Sequence, residues 1–167
     1  MKPQAEAPVD SIATDVTWKR EGPALVRMLE AQLEGHRRLR ACLEREHDAI
    51  RTANIDDLGA ACRETQEITG VLSDVEQQRL ALVHAMSRRA GRPEGETLGL
   101  EAIASECEPT VAEALRETAK VLREEVQAAR KESSVIATTA SALSRHMAGI
   151  MQTVHGALSR VGVYERK

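Results

Sequence analysis

The side chains that could do chemistry are few and scattered. No H-E-x-x-H occurs, and His146 and His155 stand too far apart to share a helical face as a metal-ligand pair. His36 and His47 fall on or beside an apolar seam, where a packed or interfacial histidine is commoner than a ligand. The three cysteines, Cys42, Cys62 and Cys107, show no C-x-x-C spacing, and their odd number is poor disulfide usage that fits a reducing compartment. There is no P-loop, no G-x-G-x-x-G and no G-x-S-x-G. The carboxylates fall on the outward faces of helices, where solvated charge is their usual role. These residues point to no catalytic centre, no metal and no cofactor. The expectation is a protein that works by binding.

Composition narrows the fold. Of 167 residues, 42% are apolar but only 1% aromatic, with no phenylalanine, one tryptophan and one tyrosine. Leu, Ala, Val, Ile and Met fill narrow seams between helices well, whereas a sandwich or barrel needs the large aromatic and β-branched fill that is missing. Charged residues at 29%, mostly Glu and Arg, suit the solvated faces of long helices. A net charge of −3 disfavours a nucleic-acid binder, and the basic run His36–Arg40 is flanked by Glu34, Glu44 and Glu46. No apolar stretch is long enough for a signal-peptide core or a bilayer span, so a soluble, cytoplasmic protein without membrane insertion is expected.

The pattern along the chain is all-α: an antiparallel bundle of three long helices, with a short extra helix before the third. Residues 1–22 lack sustained periodicity and are expected to be a mostly disordered tail in which only Trp18 has reason to pack back. The bundle domain is expected over 23–160, starting with Pro23 in a first helical turn. Apolar positions then alternate by three and four from Leu25 to Ile50, a coiled-coil-like seam. Asn54 should cap a second helix, with Asp56 and Asp57 in its first turn and Gly91 ending it. So short a break makes the first two helices a hairpin. Cys42 and Cys62 lie about equally far from its turn and are read as small buried hydrophobes rather than a redox pair.

A loop over 92–99 and a short LEAIASE helix precede the third long helix, whose start is signalled by Pro109 and a Thr110-x-x-Glu113 capping box. Up to Lys131 this helix is densely charged outside. From Ser133 to Ser144 charge vanishes, so the segment either packs on more than one neighbour or awaits one. Leu143, Met147, Ile150, Met151, Val154 and Leu158 then form a Met-bearing stripe suited to accept a partner's helix, because thioethers repack around different apolar surfaces. The same stripe could instead be bundle core. Gly162 should end the helix and leave residues 161–167 as a tail. There Tyr164 combines a large apolar face with a hydroxyl, as an interface anchor does.

With these boundaries drawn, the chain resembles the FlgN family of flagellar export chaperones. The stretches LRACLEREHDAIRTANIDDLGAACRETQEITGVL (39–72), RLALVHAMSRRAG and ALSRVGVYERK carry the likeness, which covers most of residues 25–167. The sequence departs from the family where Ser133, Ser134, Thr138 and Thr139 replace asparagines usual in the middle of the third helix. The resemblance implies a cytosolic type III secretion chaperone. Such a chaperone binds the C-terminal helical segments of the hook-filament junction proteins FlgK and FlgL and delivers them to the export gate. It also implies that Tyr164 is the handle by which the loaded chaperone engages the gate protein FlhA. Competing readings are a structural coiled-coil protein that assembles with itself, and a regulatory subunit; a homodimer is compatible with the first of these. Against self-assembly, rods keep charged flanking positions throughout, and this helix loses them after Lys131.

Overall fold

The computed structural model describes the backbone of residues 10–164 and the side-chain surroundings of residues 18–155. Over that span there are four helices and no strand: α1 (Asp10–Thr52), α2 (Ile55–Arg89), α3 (Leu100–Glu106) and α4 (Pro109–Tyr164). This is the all-α bundle of three long helices and one short one that the periodicity requires.

The two sharp turns form for local reasons. Asn54 caps α2, its Oδ1 accepting from the Asp57 N–H at 3.2 Å, and Asp56 and Asp57 sit at the positive end of the helix dipole. The preceding residue, Ala53, takes a left-handed φ of 53°, and Asn54 N–H bonds back to the Ala49 carbonyl at 2.9 Å. Gly91, with φ 72°, closes α2 in the same way, with Arg92 N–H on the Ser87 carbonyl at 3.0 Å. Ser87 is buried; its hydroxyl donates to the Val83 carbonyl and accepts from Leu98 N–H, fastening the loop to α2.

Cross-helix pairs set direction and register. Glu21 meets Arg89, Gln32 meets Glu76, and Glu46 meets Thr65, so α2 runs antiparallel to α1. On the other side Arg40 meets Glu125 at 3.2 Å and His47 meets Glu132 at 3.1 Å, rising together, so α4 runs parallel to α1. Helix α1 is therefore the central helix, with α2 and α4 both packed along it. The tightest core lies at the start of α1, where Trp18, Leu25 and Leu29 meet Val83, Met86, Ile103, Ala104, Ala112 and Leu115. Two glycines permit close approach there and midway along. A Cβ on Gly22 would stand 2.8 Å from Cys107 Sγ, and one on Gly35 would stand 2.6 Å from Leu72 Cδ2.

Three expected boundaries are corrected, all in favour of longer helix. The first helix begins at Asp10 rather than Pro23, which lies inside it, so residues 10–22 are not irregular; residues 1–9 lie outside the described chain. Burial of Trp18 and Leu25 on either side of Pro23 holds the helix through the missing donor. The last helix begins with Pro109 at its first position, which puts Thr110 inside the first turn rather than at the cap. Gly162 does not end α4, whose backbone stays helical to Tyr164. Trp18→Ala should lower the unfolding free energy by about 3 kcal/mol in urea titrations, because a fully packed indole is removed. An unchanged midpoint would return Trp18 to a tail.

Candidate functional site

The register of α4 on α1 decides where the apolar stripe lies. Arg40–Glu125 and His47–Glu132 hold one offset, and carried to the last residue of α1, Thr52, it reaches about residue 137 of α4. Beyond that point α4 continues as a helix for about 40 Å at 1.5 Å per residue, past the turn that joins α1 to α2. Burial follows the same boundary. Ile136 and Thr139 are the last partly covered residues, and every residue from Ala140 to His155 is exposed.

The stripe stands on this extension. Leu143 is 46% exposed, Met147 57%, Ile150 50%, Met151 71% and Val154 52%. Their spacing of three and four residues lines them along one face, a hydrophobic seam with no partner helix opposite among the described residues. The reading of these five residues as bundle core is thereby excluded. Leu158 continues the spacing, but its side chain and that of Tyr164 lie outside the described residues.

Three threonines near the stripe bond to their own helix. Thr138 donates to the Ser134 carbonyl, Thr139 to Val135 and Thr153 to Gly149, each at 2.9 Å, so these hydroxyls are satisfied on their own helix. Beside the stripe, Gly149 leaves a shallow depression edged by Arg145, His146, Ile150, Thr153 and Val154. A Cβ placed on Gly149 meets nothing within 4 Å, so the glycine is open to a neighbouring knob. The arrangement can bind an apolar helix edge; it offers no activated nucleophile.

The side chains with chemical potential are occupied by packing. Cys42 is buried and accepts from Arg45 Nη2 at 2.9 Å; Cys62 and Cys107 are partly buried, and all three thiols are free. Burial pushes each thiol above its ordinary value, which disfavours the thiolate. A cleft over α1, lined by Leu29, Gln32, His36, Leu72, Glu76, Arg79, Leu122 and Val126, holds a polar network in which Glu76 accepts from Gln32 at 2.6 Å and from Arg79 at 2.7 Å. Burial holds His36 below its usual range despite the nearby Glu125 carboxylate. Among the described residues no three His, Cys, Asp or Glu gather as a metal would require, and no helix is long and apolar enough to cross a membrane.

A family model described as FlgN protein matches residues 23–167. The chain belongs to the FlgN family. The match runs through the hairpin, α3 and the whole of α4, including its extension. FlgN proteins are flagellar export chaperones, not a family of enzymes, and they bind flagellar hook-associated proteins. No curated protein and no solved structure matches the chain. Sequence reasoning set the stripe on one helix face but missed that it overhangs the bundle. The signal was available in helix length, since α4 exceeds α1 even after α1 is extended to Asp10.

Ile150→Asp should leave helicity intact and shift bundle stability by no more than about 0.5 kcal/mol, as at other exposed positions. Thermal melts followed by circular dichroism, wild type beside variant, read this directly. Unfolding of the bundle by that substitution would show that the stripe is covered.

Proposed function

We propose that this FlgN protein holds the C-terminal helical segments of the junction proteins FlgK and FlgL on its overhanging helix and delivers them to the export gate. Leu143, Met147, Ile150, Met151, Val154 and Leu158 form the contact, and the client's apolar edge lies along them. The observation that supports this most is the uncovered run from Leu143 to Val154 on a helix that has left its own bundle. A client helix seated there would remove that surface from water, and the flexible side chains of Met147 and Met151 suit more than one client. Placing the work in the cytoplasm follows from the gate's role in receiving clients.

In the same proposal Tyr164 engages the gate protein FlhA. Its backbone is the last described turn of α4, at the far end of the extension from the bundle. A tyrosine there presents broad apolar surface and a hydroxyl at low cost in rotamer entropy, as interface anchors do. The stripe and the tip would then act in sequence on one helix.

Two variants separate these roles in binding titrations. Met147→Asp should abolish capture of a FlgK C-terminal segment, because it sets an unpaired charge in an apolar contact at a cost of several kcal/mol, about 2–5. Tyr164→Ala should retain the client and weaken capture of the preformed complex by the cytoplasmic domain of FlhA. Client binding unaffected by Met147→Asp would remove the stripe from the site. Equal affinities of wild type and Tyr164→Ala for the FlhA domain would place gate docking elsewhere.

A further inference from the structure

We infer that the occupant of the extension is an acidic amphipathic helix, carrying carboxylates beside its apolar seam. This rests on the reading of the stripe as a client acceptor and goes beyond it by specifying the client's charge. The chain separates its charges unevenly. No Asp or Glu occurs between Glu132 and Glu165, whereas Arg145, His146, His155 and Arg160 all fall in that interval. The whole chain is nonetheless at −3, so its acidic excess lies in the residues that build the bundle.

In the bundle, arginines meet carboxylates. Arg40 pairs with Glu125, Arg45 with Glu64, Arg79 with Glu76 and Arg116 with Glu101. On the extension, Arg145 turns its Nε to the Ser141 carbonyl oxygen at 3.4 Å instead. Arg145 stands nearly opposite the Leu143–Met147–Ile150–Val154 face at about 100° per residue, and its guanidinium meets the Gly149 depression from the far side, with His146 between it and the seam. A helix laid on the seam lies within about 10 Å, on the order of a Debye length, of that positive side, and the field of such charges selects among partners by sign without direct pairing. Carboxylates beside the client's seam complement that field; ammonium groups oppose it.

The same charges disfavour two other occupants. A second copy of this extension would bring arginines and histidines and no carboxylate, setting like charges together. A membrane-surface helix carries a polar face rich in Lys and Arg with Trp or Phe on the other. Between Ser133 and Tyr164 there are two arginines, no lysine, no tryptophan and no phenylalanine, and the polar positions are mostly Ser and Thr.

The test uses the full chain and two synthetic helical peptides that share one Leu/Ile seam and differ only in Glu or Lys at the flanking positions. Fluorescence anisotropy should show the Glu peptide binding about tenfold more tightly at low salt, with the difference collapsing near 1 M salt. Arg145→Glu should shrink or reverse the preference. Equal affinities, both lost in Met147→Asp, would overturn the charge inference while leaving the acceptor site standing. No binding of either peptide, or binding indifferent to Met147→Asp, would overturn both. Binding to phosphatidylglycerol vesicles without peptide binding would overturn it in favour of a lipid surface.

Discussion

The parallel register of α4 on α1 is the constraint from which the rest follows. Arg40–Glu125 and His47–Glu132 hold the two helices side by side with the start of α4 level with about residue 24 of α1. The core around Trp18, Leu25 and Leu115 anchors that alignment at the base. Because α4 starts about 14 residues along α1 and has 56 residues against 43, its C-terminal half runs well beyond the end of α1 and is left unsupported. The polar pairs are partly exposed and add modest stability, so the packed base carries the alignment and the pairs refine it. An antiparallel α4 would have buried a different part of itself and left its charged half outside.

The fold was legible in the sequence where local chemistry and tertiary packing agree. Asn54 with its two following aspartates, and Gly91 after paired arginines, marked real helix ends because each satisfies backbone groups that would otherwise be unpaired. Pro23 and Gly162 misled because breaker signals act locally while helix propagation and burial act over many turns. Pro23 removes one backbone donor, a loss smaller than what burial of Trp18 and Leu25 contributes. Ala53 ends α1 in a left-handed conformation with no glycine to announce it. The face of the candidate site was legible as well, since the three-and-four spacing is a property of the sequence alone. Its exposure was not, because exposure depends on where a neighbouring helix stops.

Under the proposed reading, a helix that outruns its bundle would give the chaperone a division of labour. The bundle is complete without the extension, so binding or releasing a client need not disturb the core. Small side chains and self-bonded threonines keep the extension's other faces tolerant of water, and Gly149 lowers its surface beside the seam. Isolated helix in water is marginal, and a bound client helix would supply the packing that most protein helices draw from their own fold.

Hydrogen–deuterium exchange on the full chain, free and with a FlgK C-terminal segment, tests this picture most directly. Amides from Ala140 to Val154 should exchange rapidly in the free protein and gain protection with the segment present, while amides around Leu25 and Leu115 stay equally protected in both. Protection of 140–154 in the free chain matching that around Leu115, or no change on adding the segment, would contradict it.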